Sequence, residues 1–170
     1  MITGKIFAVC ISAESGIPKH PKEEVEIAEF GFLGDYHCRP MRESFSKPGT
    51  MKPNNDRHIT IVGKEAVDAI NLKLGLNLGV GALGENILTQ GLGDLSEVAP
   101  DTFIFIGNGI LLKVVEQNKP CKNLIPYHPH FIKEIGGRRG LLCAVLGGVG
   151  CTIHPGDLIH LVPSRMKSYL

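Results

Sequence analysis

The sequence predicts a mainly β protein whose short strands form a barrel or a sandwich. Glycine occurs 21 times and proline 11 times in 170 residues, and both separate short apolar runs, as expected for a chain that turns after each strand. The runs are rich in β-branched residues and are bounded by turn residues, which favours strands over helices. The predicted strands span residues 4–12, 25–30, 58–62, 85–89, 102–106, 110–116, 141–146 and 158–162.

Two segments depart from this pattern and predict helices. Lys64–Leu74 places its apolar residues at helical spacing, and Gly75 follows as a C-cap. A shorter helix is predicted at residues 129–135, where Gly136 ends it. Residues 41–53 are polar and contain proline, so we expect a mobile loop there. The sequence therefore predicts a β framework with one or two helices.

Composition limits the classes of function. With 43% hydrophobic and 21% charged residues, the chain is long enough for one domain with a real core, and we expect a single domain over residues 1–170. A net charge of +1 gives no basic field that would favour nucleic acid. The N-terminus lacks a secretory signal pattern and no apolar run reaches membrane-spanning length, so we expect a cytoplasmic protein without membrane contact.

Cys121 is the most informative candidate for chemistry. The chain has five cysteines, which is an odd number, and no two of them form a CxxC pair. This argues against a disulfide framework and against a zinc ribbon. Cys121 follows a predicted strand and stands between Lys119 and Lys122, and nearby positive charge favours a reactive thiolate that attacks electrophiles and binds soft metals. Pro120 stiffens the segment. A buried cysteine that only fills space is the alternative, and the local residues leave both open.

A glycine-bounded loop brings Asp35 and His37 within two residues of each other. Gly34 could supply a positive φ for the turn, so that Asp35 binds backbone amides or orients another side chain. An Asx-type turn with an exposed His37 is the alternative. Residues 79–84 match GxGxxG, but a strand is predicted after them where a dinucleotide site needs a helix, so we regard the match as accidental.

Other polar residues stand at predicted strand ends. Glu85 and Asn86 open one strand and are candidates for proton handling and hydrogen bonding if that end faces Cys121. Arg57 precedes another strand and could bind a phosphate or a carboxylate, as could the Arg138 and Arg139 pair. For each arginine a solvated strand end is the alternative.

Taken together, these motifs resemble the MOSC domain family, which is named for the C-terminal domain of molybdenum-cofactor sulfurases. The order and spacing of the motifs carry the resemblance and cover most of the chain. The motifs are GFLGDYH (31–37), RHITI (57–61), GENI (84–87), PC (120–121), RGLLCAVLGG (139–148) and PGD (155–157).

The resemblance implies a closed β-barrel of about seven to eight strands, similar to the pyruvate-kinase-type barrel, with Cys121 as the functional thiol. In sulfurase-like members the matching cysteine is proposed to carry sulfur, and in amidoxime-reducing relatives it ligates the molybdenum of a pterin cofactor. Family-level expectations also include pyridoxal phosphate binding. The expected catalytic residues are Cys121, Asp35, His37 and Glu85, with Cys121 also the metal ligand. The expected cofactor-binding residues are Arg57, Asn86, Lys119, Lys122, Asn123, Arg138 and Arg139.

Three functions follow from the resemblance. The first is binding of the molybdenum–pterin cofactor, or carriage of its sulfur, through Cys121. The second is molybdenum-dependent reduction of N-hydroxylated compounds, which would need a separate reductase partner because the chain has no flavin or iron–sulfur motif. The third is a non-enzymatic module that delivers the cofactor to a partner molybdoenzyme. In each case the ligand is a small molecule or a cofactor.

Overall fold

The structure is a computed structural model that describes residues 1–44, 46–107 and 109–163. The helices are α1 (Lys64–Leu74), a 3-10 helix (Lys122–Tyr127) and α2 (Phe131–Ile135). The strands, in chain order, are β1 (Ile2–Ile11), β2 (His20–Lys22), β3 (Val25–Ala28), β4 (Gly31–Phe32), β5 (Met41–Glu43), β6 (Met51–Pro53), β7 (Ile59–Gly63), β8 (Ile87–Gln90), β9 (Phe103–Ile106), β10 (Ile110–Gln117), β11 (Leu141–Gly147), β12 (Thr152–Ile153) and β13 (Leu158–Val162).

The main sheet closes on itself as a seven-stranded barrel with one extra strand. Its order is β13-β9-β10-β11-β7-β8-β1, and β1 pairs back onto β13 while β2 extends the far end of β1. This closure confirms the expected barrel and excludes the sandwich. β7 and β8 pair in parallel. Parallel neighbours need a crossover connection, and α1 with the loop after it supplies one.

The interior of the barrel is filled by alternate residues of its strands. Ile104 and Ile106 of β9 and Ile159 and Leu161 of β13 are buried, whereas Phe105 between them is exposed. This is the period of two that a strand with one core face requires. Each fully buried aliphatic side chain contributes about 1.5 to 3 kcal/mol, so this core dominates the stability of the barrel.

A second apolar cluster lies on the outer face of β1, β7 and β8. There Val62 and Leu88 point away from the barrel interior and pack with Ile70 of α1, Leu124 of the 3-10 helix and Phe131 of α2. All three helices therefore cover one side of the barrel. This packing holds the chain around Cys121 against the outer wall.

Short peripheral elements account for the differences from the sequence prediction. The expectation of a loop over residues 41–53 was wrong at both ends, because β5 and β6 pair as a hairpin. The 3-10 helix was not predicted. Residues 79–84 lead towards β8 and not into a helix, in agreement with the rejection of a dinucleotide site. Within the described residues, no helix is long and apolar enough to cross a membrane.

Candidate functional site

Cys121 lies on a short segment that leaves the end of β10. We call residues 118–122 the thiol segment. The backbone amide of Asn118 donates to the carbonyl oxygen of Gly140 at 2.8 Å, which fixes where the segment starts. Cys121 is extended, with φ −130° and ψ 167°, and it caps the 3-10 helix, where its carbonyl oxygen accepts the amide of Leu124 at 3.1 Å. Its side chain is partly buried.

The side chains around the thiol are polar and open to solvent. Lys119, Lys122 and Asn123 are all exposed. The structure therefore brings together four of the residues expected at the site, namely Cys121 and these three neighbours. Two clefts of about 210 and 260 Å³ are both lined by residues outside the thiol segment.

Three of the other cysteines sit where ionisation is unfavourable. Burial, with a smaller contribution from the charge of Glu85, raises the pKa of the Cys10 thiol to about 12. Burial also raises the pKa of Cys143, and burial followed by the charge of Asp35 raises that of Cys38. A thiol held neutral is a poor nucleophile and a poor metal ligand. Cys121 is less buried than Cys10 and Cys143 and stands between two exposed lysines in the sequence.

Glu85 is fully buried and shapes the loop that precedes β8. We call residues 81–85 the glutamate loop. Its carboxylate accepts the backbone amides of Gly81 at 2.6 Å and Leu83 at 3.0 Å. Burial raises the pKa of Glu85, and these amide donors partly oppose the rise. Gly81 has a φ of +80°, and a Cβ there would lie 1.9 Å from the carbonyl oxygen of Lys19. The Glu85 carboxylate thus organises backbone and faces no solvent.

Arg139 and Tyr127 join the thiol segment to the glutamate loop. The Arg139 guanidinium donates from Nη1 to the carbonyl oxygen of Lys119 at 2.9 Å and from Nη2 to that of Leu83 at 3.4 Å. Arg139 is only 9% exposed. The Tyr127 hydroxyl donates to the carbonyl oxygen of Ala82 at 2.8 Å. The chain on both sides of Cys121 is therefore tied to the same loop, and the thiol sits on a rigid support.

Asp35 is the centre of a buried ion pair that the sequence reasoning missed. Both carboxylate oxygens accept from Lys19 Nζ, at 2.8 and 2.9 Å, and the two side chains are 2% and 3% exposed. The carboxylate also accepts the backbone amides of Ser12 and His37, both at 3.1 Å. Burial alone would raise the pKa of Asp35, but the hydrogen bonds from His37 and the charge of Lys19 outweigh it and lower the pKa. Asp35 is therefore held as an anion.

His37 is oriented by that anion. Its Nδ1 lies 3.4 Å from Asp35 Oδ1, while half of the side chain is exposed. The carboxylate therefore lies at one ring nitrogen of a half-exposed imidazole. The backbone amide of Lys19 donates to the carbonyl oxygen of Gly81 at 3.0 Å. Hydrogen bonds thus connect His37 through Asp35 and Lys19 to the glutamate loop, and from there to the thiol segment.

Asn86 joins strands and is buried. Its Oδ1 accepts the backbone amide of Thr60 at 3.1 Å, and its Nδ2 donates to the carbonyl oxygen of Cys10 at 3.2 Å. Only 2% of the residue is exposed. Both ends of this amide are therefore used to connect β1 and β7 where β8 begins between them.

Arg57 and Arg138 lie apart from this network. Arg57 pairs with Glu116 on β10, and Arg138 Nε donates to Asp94 Oδ2 at 3.0 Å. Both guanidiniums therefore have a carboxylate partner within the protein. Of the five cations expected to contact an anion, Lys119 and Lys122 are the two that stand exposed beside the thiol.

Lys19 and Tyr127 are the functional candidates that sequence reasoning did not identify. Lys19 stands in a proline-containing stretch, Ile-Pro-Lys-His-Pro at 17–21, with no charge pattern around it. Buried lysines are rare, so nothing local predicted that its ammonium would be inside. Tyr127 could have been suspected as an aromatic residue close to Cys121 with a hydroxyl to satisfy.

Comparison with known proteins adds a family to this geometry. The family model described as MOSC domain matches residues 48–160. The chain is similar in structure to the YuaD protein from Bacillus subtilis, with a TM-score of 0.82, 24% identity, and coverage of 94% of this chain and 96% of that one. It is also similar to YiiM from Geobacillus stearothermophilus, with a TM-score of 0.71, 22% identity and coverage of 97% and 78%.

A third similar structure is YiiM from Escherichia coli, with a TM-score of 0.64, 20% identity, and coverage of 95% of this chain and 70% of that one. At these identities the structural likeness establishes the fold. No curated protein sequence matches the chain.

Proposed function

This chain belongs to the MOSC domain family, and we propose that Cys121 serves the molybdenum–pterin cofactor, either as a metal ligand or as a carrier of its sulfur. The observation that carries the proposal is the setting of Cys121. Its accessible thiol stands between exposed Lys119 and Lys122 on a segment that Arg139 and Tyr127 hold in place. Both roles need this combination of a soft, accessible thiolate and a fixed position.

The donor set around Cys121 fits such a cofactor. The described residues contain no group of three or more histidine, cysteine, aspartate or glutamate side chains arranged to hold a metal ion. A metal held by a pterin brings most of its own ligands, so one protein thiolate is enough. Lys119, Lys122 and Asn123 would hold the anionic and polar parts by charge and hydrogen bonds. The cofactor, when bound, supplies the redox chemistry of molybdenum.

The sulfur-carrier role requires one balanced exchange. The Cys121 thiolate attacks the outer sulfur of a persulfide on a donor protein or a small thiol, and the sulfur–sulfur bond of the donor breaks. Cys121 then carries the persulfide, and the donor leaves as a thiolate that takes up the proton lost by Cys121. No oxidant is consumed. The exposed side chains of Lys119 and Lys122, which flank Cys121 in the sequence, would supply positive charge for the attacking thiolate and the new persulfide.

The test is the content of protein purified from a host that makes the cofactor. We expect wild-type protein either to contain molybdenum by elemental analysis or to show, by mass spectrometry, one added sulfur atom on the peptide of Cys121. Cys121→Ser should lose both signals. Cys151→Ser is the matched control, because Cys151 is also partly buried but packs against the barrel core. It should retain the wild-type signal.

Two results would contradict the proposal. Wild-type protein that holds no molybdenum, and whose Cys121 gains no sulfur when a persulfide donor is added, would contradict the proposal. So would equal signals in wild type and Cys121→Ser.

A further inference from the structure

The chain from Lys119 to Lys133, which includes Cys121, carries exposed lysines and exposed apolar side chains. We call Lys119, Lys122, Lys133, Ile125 and Ile132 the basic surface. The three lysines are exposed, and Ile125 and Ile132 are 47% and 38% exposed although each stands on a helix whose other side is buried. Two exposed isoleucines among these lysines in the sequence give the surface a small apolar area as well as positive charge.

The segment that carries these lysines has no carboxylate between its ends. The sequence contains no aspartate or glutamate between Glu116 and Glu134. Those two carboxylates mark its borders, and each has a cation of its own: Glu116 pairs with Arg57, and Glu134 Oε2 lies 2.5 Å from Lys73 Nζ. The chain as a whole carries only +1, so the positive field is local.

We propose that the basic surface docks an acidic protein that carries a persulfide beside its acidic residues and delivers the sulfur to Cys121. This inference rests on the proposed function. Charge complementarity selects an acidic partner, because a like-charged surface would be repelled. The exposed apolar area of the two isoleucines favours a protein donor over a small thiol, because apolar side chains of this kind are buried when two proteins associate.

Electrostatic attraction of this kind acts mainly on the rate of encounter. Complementary charges raise association rates by roughly 10 to 10³-fold, and the effect falls steeply with ionic strength. The Debye length shrinks from about 30 Å at 0.01 M salt to about 3 Å at 1 M. Sulfur transfer from an acidic donor should therefore be fast in low salt and should slow as salt is added.

The experiment uses two synthetic peptides as donors. Each has one cysteine persulfide flanked by leucines, with glutamates around it in one peptide and lysines in the other. Transfer to full-length protein is followed by mass spectrometry at low and high salt. The ratio of the two rates within one protein variant is the readout, because it cancels differences in the intrinsic reactivity of the thiol.

The variants separate the basic surface from net charge. The test variant carries Lys119→Glu, Lys122→Glu and Lys133→Glu. The control carries Lys5→Glu, Lys22→Glu and Lys52→Glu, three exposed lysines on β1, β2 and β6. Both lower the net charge equally. We expect wild-type protein to favour the acidic peptide by about tenfold or more in low salt, the test variant to favour the basic peptide, and the control to keep the wild-type preference.

Three outcomes decide the matter. Equal rates from the two peptides in wild type, or an equal loss of preference in the control, would overturn the docking surface while leaving sulfur transfer to Cys121 intact. Binding of the acidic peptide with serine in place of its persulfide is measured separately by fluorescence anisotropy. If that peptide binds wild type and not the test variant, yet no sulfur reaches Cys121, the docking surface stands and the sulfur-carrier role fails.

Discussion

The buried pair of Lys19 and Asp35 gives the sharpest prediction. In Lys19→Met the apolar part of the side chain is kept and the ammonium is lost, so the Asp35 carboxylate remains 2% exposed without its cation. Removing one partner of a buried pair typically costs about 3 to 5 kcal/mol. For a protein of this size, that loss corresponds to a fall in Tm of roughly 6 to 20 °C.

The pH dependence of this loss has a definite sign. In wild type the folded pKa of Asp35 is lowered, so the pair contributes stability above the unfolded pKa of about 3.9 and loses it as pH falls. Without Lys19 the folded pKa of Asp35 rises, because burial is then opposed by fewer partners. In the variant, the Asp35 carboxylate therefore takes up its proton at a higher pH than it does in wild type. The loss of unfolding free energy caused by Lys19→Met is therefore largest near neutral pH and becomes smaller in acid.

The assay is urea unfolding followed by far-ultraviolet circular dichroism, since the chain has no tryptophan to report by fluorescence. The double variant Lys19→Met with Asp35→Asn is the control. It removes the titrating group as well as the cation, so it should be less destabilised than the single variant at neutral pH and should lack its pH dependence. A cost below about 1 kcal/mol at neutral pH, or an equal cost at acidic and neutral pH, would refute the reasoning.

Two further predictions concern the support of the thiol. Gly81→Ala should cost at least about 1 to 2 kcal/mol from the positive φ alone, and the clash of its Cβ with the carbonyl oxygen of Lys19 adds to that cost. Gly79→Ala is the control and should be near neutral, because nothing lies within 4 Å of its Cβ. Arg139→Met should cost about 1.5 to 3 kcal/mol for each charged hydrogen bond lost and speed amide exchange in the thiol segment. Arg138→Met, which removes a half-exposed ion pair, should cost under about 1 kcal/mol. Urea unfolding measures the stability of each variant and of its control. Hydrogen exchange measures the protection of the thiol segment in Arg139→Met and Arg138→Met.

Strands with an apolar face were predictable from the sequence, and the shortest strands were not. The predicted strand 158–162 coincides with β13, because two apolar side chains, Ile159 and Leu161, alternate into the core. β2, β5 and β6 have three residues each and almost no buried side chain, so no periodicity marks them. Closure of the barrel depends on pairing between β1 and β13 at opposite ends of the chain, which local pattern does not encode.

The candidate site was predictable where its parts are adjacent in sequence. Asp35 and His37 are two residues apart, and the structure holds them together. Lys19 was missed because its partner lies 16 residues away and its burial depends on the folded loops. Arg139 was recognised as a guanidinium able to bind an anion, but the fold directs it to two backbone carbonyl oxygens. Such choices between partners are made by tertiary packing.

The two buried carboxyl groups near Lys19 differ in a way that divides their roles. The charge of Lys19 favours ionisation of both, yet the pKa of Asp35 is lowered and that of Glu85 is raised, because Asp35 contacts the ammonium directly while burial dominates at Glu85. The hydrogen bonds and the cation outweigh burial at Asp35 and do not outweigh it at Glu85. Asp35 therefore holds a negative charge beside the Lys19 ammonium and the His37 ring. Glu85, which meets only backbone amides, suits the role of building the loop on which the thiol segment rests.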